Sequence, residues 1–168
     1  MFRWLPTTAL VGCLLLPTAG TLHAADDYNE IYSYVSGGLH HWSSSESSAD
    51  GLKIRFGQQI NTFVGLEGHF AIGGEDSKTN ESLDRLFGVY GKFILPLDNF
   101  GPYVKLGMTS ASVKTAEESK SEFEMSYGIG TEININPRFF IDLEYMVYLD
   151  TTKLELDGFT LGVGYKIP

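Results

Sequence analysis

A chain of 168 residues has room for one domain and little else. Its 19 glycines, 11 phenylalanines and 9 tyrosines, against 6 prolines, favour twisted sheet over helix, because glycine weakens helices and aromatic side chains suit strands. The net charge is −9 and no cluster of Lys and Arg is present. Nucleic acid is therefore excluded as a partner, since phosphate contacts need such a cluster.

The first 25 residues read as an export signal. Arg3 supplies a positive start, Ala9 to Leu16 an apolar run, and Pro17 and Gly20 break it before Leu22-His23-Ala24-Ala25. Cleavage is expected after Ala24 or Ala25, giving a signal peptide over 1–25 and one domain over 26–168. The apolar run is about half of the ~20 residues a membrane helix needs. The only cysteine, Cys13, lies inside it, so the exported chain has no disulfide and no thiol chemistry. Leu10-Val11-Gly12-Cys13 also has the look of a lipoprotein processing box. Against lipidation of Cys13, Leu14-Leu15-Leu16 continue the apolar run where polar residues normally follow such a cysteine. No later segment is long and apolar enough for a membrane helix, so entry into a membrane requires a closed barrel.

Beyond residue 28 the dominant signal is alternation of apolar and polar residues, the period of a strand. Eight strands are expected, at 30–42, 51–60, 63–72, 84–95, 101–112, 123–135, 139–149 and 159–167. The first has ambiguous parity, because Ile31 to Val35 is apolar on both faces. The sixth is cleaner: Phe123, Met125, Tyr127, Ile129, Thr131, Ile133 and Ile135 share one face, and Glu124, Ser126, Gly128, Gly130, Glu132 and Asn134 the other, with Thr131 alone blurring the split. The connections alternate in length. Asn61-Thr62, Pro96 to Asn99 and Asn136-Pro137 are short turns, whereas Ser43–Asp50, Gly73–Leu83, Ser112–Ser121 and Asp150–Asp157 are longer and polar. Short periplasmic turns and longer outer loops are the pattern of a membrane barrel, and an even strand number puts both chain ends on the periplasmic side.

Alternation alone does not separate a membrane barrel from a soluble, lipocalin-like periplasmic one. The composition of the polar face does. It carries glycines such as Gly57, Gly65, Gly88, Gly128, Gly130, Gly162 and Gly164, interleaved with Lys53, Arg55, Glu67, Lys92, Lys105, Glu124, Glu132, Asp142, Glu144 and Lys166. Solvent-facing strand surfaces seldom hold so much glycine. An eight-stranded barrel has an interior just wide enough to be filled by side chains, and charges inside it must pair. Five bases and five acids are available, so a lumen network of ion pairs is expected.

At its end the chain reads Ile141-Asp142-Leu143-Glu144-Tyr145, then Phe159-Thr160-Leu161-Gly162-Val163-Gly164-Tyr165-Lys166. An acidic-aromatic penultimate strand before a Gly-alternating last strand resembles the small OmpA/OmpX/Ail-type outer-membrane β-barrels, over about residues 26–168. The resemblance implies an all-β, eight-stranded antiparallel transmembrane β-barrel in the bacterial outer membrane. Its implied partners are membrane lipid and lipopolysaccharide, the outer-membrane assembly machinery, and a host or surface protein. No cofactor is implied. Members usually finish on an aromatic residue, whereas this chain finishes Tyr165-Lys166-Ile167-Pro168.

Candidate chemistry is sparse. His40 and His41 are adjacent and so face opposite ways on a strand, near the outer rim. His69 shares the lumen face with Glu67, but three or four converging metal ligands are not apparent. Residues 40–48 contain Ser, His and a carboxylate, the types a lipid A-modifying barrel enzyme would need, within a Ser-rich stretch that reads as a loop. The expected function is a structural or surface-interaction role without catalysis. The alternatives are a narrow pore for small solutes, a lipid A-modifying enzyme and a soluble binding barrel.

Overall fold

The computed structural model describes residues 31–44, 47–74, 82–114, 119–150 and 155–167. The predicted signal peptide lies outside them. Eight strands follow in order: β1 (Ser33–Ser44), β2 (Ser48–Gln59), β3 (Val64–Gly73), β4 (Ser82–Ile94), β5 (Phe100–Lys114), β6 (Ser119–Asn134), β7 (Phe139–Asp150) and β8 (Glu155–Ile167). Each pairs antiparallel with the next, and β8 closes on β1 through Val35↔Tyr165, Leu39↔Leu161 and His41↔Phe159. Closure leaves no edge along most of the sheet, which is the condition for residence in lipid.

The orientation is apolar side out. Phe139 is 44% exposed and Val163 54%, while Glu132 on the opposite face is 3% exposed. Ile141 and Leu143 share the outer face, partly exposed. The soluble-barrel alternative fails here, because that fold gathers its apolar side chains in the middle. The ambiguous first strand settles with Tyr34 and Ser36 inside and Gly37 and Leu39 outside.

At the periplasmic end two turns use the same device. Asn61 Oδ1 accepts from the N–H of Phe63 and Val64, each at 2.9 Å, and Asn136 Oδ1 from Arg138 and Phe139 at the same distance. The side chain stands in for a backbone carbonyl and fixes the hairpin. Between β4 and β5, Asp98 takes φ 46°, a left-handed position that Asp tolerates better than most residues. Phe63 stacks on Phe93 at 6.2 Å and Phe139 packs edge-on to Tyr165 at 5.1 Å, forming aromatic contacts near this membrane boundary.

The outer end differs from expectation. β1 continues to Ser44 and β2 begins at Ser48, so most of the expected loop Ser43–Asp50 is hairpin. β5 runs to Lys114, β6 starts at Ser119 and β8 at Glu155, each inside a segment read as loop. The reason is solvation. Above the bilayer the outward face meets water instead of lipid, so it no longer has to be apolar and the alternation weakens while the backbone ladder continues.

Candidate functional site

The lumen is filled in layers. At its centre lie four cations and four carboxylates: Lys53, Arg55, Lys92 and Lys105 with Glu67, Glu132, Asp142 and Glu144, none more than 3% exposed. They come from six strands, because alternation points every second residue of each strand inward. Glu144 is the hub. It accepts from Lys53 and Lys105, from Arg55 Nη1 at 3.3 Å and from Tyr103 OH at 3.3 Å. Glu67 is a second hub, paired with Lys105, with Lys92 at 3.1 Å and with His69 Nε2 at 2.7 Å, and bonded by Tyr34 OH. Asp142 Oδ1 accepts from Tyr103 OH at 2.8 Å. Its Oδ2 lies 2.7 Å from Arg55 Nη2, close enough for an ion pair but not aligned as a hydrogen bond. Lys92 reaches Glu132 at 2.8 Å. Formal charges within the group cancel, as burial requires.

The glycines supply the space. A Cβ on Gly57 would overlap the Tyr34 ring, one on Gly130 the Tyr103 hydroxyl, and one on Gly164 the Phe140 ring. These rings lie across the neighbouring strand, where only hydrogen leaves room.

Two of the ten predicted lumen residues stand apart. Glu124 points to the inner face but is half-buried near the outer end, and among the described residues it forms no ion pair. Lys166 sits at the periplasmic mouth, donates to Asn134 Oδ1 at 2.9 Å and lies over the Tyr32 ring at 4.9 Å. Both correct the predicted network for one reason: parity assigns a face but not a depth.

The histidines separate as their adjacency requires. His41 faces outward, with Nδ1 2.8 Å from Asp50 Oδ1. His40 is not a rim residue as expected; it is wholly buried in the lumen, 3.0 Å from Thr160 Oγ1. Glu67, His69 and Glu144 do bring ligand-type atoms within 4.8 Å of one another, a convergence not apparent from the sequence. Lys53, Lys92 and Lys105 already hold those carboxylates, so the protein's own cations occupy the place a metal would take. Ser43 and His41 share the outer wall, yet no hydrogen bond joins them among the described residues.

Toward the outer end the filling changes character. Trp42, Ala71, Leu83, Leu86, Ala111, Met146, Tyr148 and Leu156 form an apolar cluster, each at most 1% exposed. Between this layer and the charges runs a chain of hydroxyls. Tyr90 OH bonds Thr109 Oγ1, which lies 2.6 Å from Ser126 Oγ, which in turn donates to the Tyr148 carbonyl at 2.8 Å. The sequence reading did not single out this apolar layer. Leu86 and Leu156 share parity with Gly88 and Thr160, which was a usable signal. Leu83 was not readable in this way, because a register shift between Leu83 and Arg85 moves it to the inner face.

A closed antiparallel barrel with a lipid-compatible exterior and a charged, glycine-lined interior is a transmembrane β-barrel. The chain belongs to the outer membrane protein beta-barrel domain family, whose model matches residues 11–166, and so to the bacterial outer membrane. It is 27% identical to the attachment invasion locus protein of Yersinia pseudotuberculosis, over 99% of this chain and 98% of that one. Among solved structures it is similar to Ail of Yersinia pestis in complex with the heparin analogue sucrose octasulfate, with TM-score 0.62, 22% identity and coverage of 82% of this chain and 99% of that one. The N-terminal β-barrel domain of Pseudomonas aeruginosa OprF is similar at TM-score 0.61 and 14% identity, covering 82% and 100%. These structural likenesses speak to fold alone.

Proposed function

We propose that this protein is a non-conducting, non-catalytic outer-membrane barrel that works through its outer end, as a surface-interaction protein. The observation that carries the reading is the doubly sealed lumen, in which a neutral charge cluster lies beneath an apolar layer. A solute would have to break both. Against the enzyme alternative, the family relatives named above are outer-membrane barrels, and the carboxylate that faces His41, Asp50, lies on the neighbouring strand at an exposed position. Export through a signal peptide cleaved near Ala24 or Ala25, and insertion by the assembly machinery, complete the reading.

The partner follows from charge. The outer segments 43–50, 73–85, 110–124 and 150–158 carry 13 acidic and 5 basic residues, which is nearly all of the chain's net −9. Such a surface repels sulfated polyanions of the kind seated on Ail and attracts cationic ones. Planar-bilayer recording tests the seal. No steady current is expected, and large, steady single-channel currents would establish the narrow-pore alternative instead. Overexpression should leave the mass of lipid A unchanged; a loss or gain of an acyl chain would return the enzyme reading.

A further inference from the structure

The lipid-facing wall is interrupted by glycine. Along β1 the outward row runs Val35, Gly37, Leu39, and Gly37 is exposed, with Ile54 paired on one side and Val163 on the other. A Cβ built on Gly37 would meet only the Lys53 carbonyl oxygen, at 3.8 Å, so the position opens toward lipid. The result is a groove with Gly37 as its floor and Val35, Ile54 and Val163 as its sides, leading down to Phe139 and Tyr165. Phe139 pairs with Tyr165 and Tyr165 with Val35, so these three stand on one row at the periplasmic end. Arg138 is the next residue beyond that row, and it is exposed. Its backbone is fixed on both sides: its N–H donates to Asn136 Oδ1 at 2.9 Å, and its carbonyl accepts from the Lys166 N–H at 2.8 Å. Its guanidinium makes no hydrogen bond or ion pair among the described residues. Lys92 is buried and Lys166 donates into the mouth, so among the described residues Arg138 is the one exposed cation at this end.

We propose that this groove and Arg138 form a binding site for one anionic phospholipid of the periplasmic leaflet, with its phosphate on Arg138 and an acyl chain over Gly37. Charge and reach commit to that occupant. An unpaired guanidinium at the headgroup layer complements a phosphate, which it can hold through two parallel N–H donors. From Arg138 to the row Ile141–Val163–Gly37 is three residues along β7 and two strands across, about 10 Å each way and about 14 Å in all. The acyl chains of one leaflet span about 15 Å, half of the hydrocarbon core, so a chain anchored at Arg138 reaches the groove floor. Gly68 and Gly91 also open toward lipid, but the turns below them carry Asn61 and Asp98 rather than a cation. The combination of groove and charge is therefore confined to the Gly37 side. Lipopolysaccharide offers phosphates and acyl chains too, but it belongs to the other leaflet, away from Arg138. The proposal goes beyond the surface-interaction reading and does not depend on it.

Native mass spectrometry of the barrel released from nanodiscs of equal phosphatidylglycerol and phosphatidylcholine is the test. The native barrel should retain phosphatidylglycerol about fivefold over phosphatidylcholine, the preference that one basic residue confers at an anionic headgroup layer. Arg138→Gln should bring that ratio near one. Arg85→Gln, which removes an exposed cation at the outer end, should leave it unchanged. Gly37→Leu fills the floor of the groove and should lower the amount of both lipids retained. Heat-dependent gel migration checks that the variants assemble; should Gly37→Leu fail to assemble, Arg138→Gln, in an exposed turn, still decides. A ratio unchanged by Arg138→Gln would overturn the site, as would equal retention of the two lipids by the native barrel or undiminished retention by an assembled Gly37→Leu. Displacement of phosphatidylglycerol by an equimolar amount of lipid A would overturn the choice of leaflet.

Discussion

The two halves of the lumen are closed by opposite means. Toward the periplasm the filling is charge, with Glu144 and Glu67 each shared among several cations. Toward the outer end it is hydrocarbon, built from Leu83, Leu86, Met146 and Leu156 around Trp42. Both exclude water, but they respond differently to damage. A buried ion cluster is strong only while complete, since losing one member strands its partners without water or countercharge. An apolar layer loses stability in proportion to the volume removed. The first seal therefore fails abruptly and the second by degrees.

The widest separation is expected at Glu144. Glu144→Ala leaves Lys53, Lys105 and Arg55 without their common acceptor, a loss of about 3–5 kcal/mol by the usual cost of orphaning a buried charge. It should appear as a lower urea midpoint for the unfolding of the barrel in micelles. Adding Lys105→Met should recover part of that loss, because one orphan is removed. A double variant weaker than the single one would remove the claim that charge balance, rather than each bond separately, holds this seal. On the outer side, Leu156→Ala should cost about 2–4 kcal/mol through its cavity alone, with no partner variant able to rescue it.

How much of this was legible differs between regions for a physical reason. Where lipid touches one wall and the lumen the other, each strand must alternate, and β6, β7 and β8 can be read almost residue by residue, down to Asp142 and Glu144 pointing inward. The signal fades where the contrast between environments does. Ser48 to Asp50 and Ser119 to Glu122 are strand but look like loop, because their sequences are polar and short of the apolar residues that mark a lipid-facing wall. Depth is also invisible to parity: Glu124 and Glu132 share a face of one strand, yet only Glu132 reaches the central charges. The convergence of His69 with Glu144 depends on barrel closure, which brings β3 and β7 across the lumen although many residues separate them.

Space, more than charge, sets the next expected effect. Gly57→Ala places a methyl group where the Tyr34 ring lies, and Tyr34 is the residue that bonds Glu67 and accepts from Lys92 at 2.6 Å. Overpacking of this kind costs about 1–3 kcal/mol. The displaced ring should also lower the midpoint of a Tyr34→Phe variant less than that of the native barrel, since its hydroxyl contacts would already be lost.

The smallest effects belong to the two predicted network members that the fold leaves outside. Glu124→Gln and Lys166→Met remove formal charges without orphaning a buried ion, because among the described residues Glu124 forms no ion pair and the Lys166 ammonium meets the Asn134 amide and two aromatic rings. Each should shift stability by no more than about 0.5 kcal/mol, the range of ordinary surface changes. The comparison with Glu144 is most direct at equal charge change. Glu124→Gln and Glu144→Gln each remove one negative charge, so a difference in urea midpoint measures burial and sharing rather than net charge. If the two variants unfolded at the same midpoint, the central cluster would contribute no more than a charge at the rim, and the abrupt failure argued for the inner seal would be withdrawn.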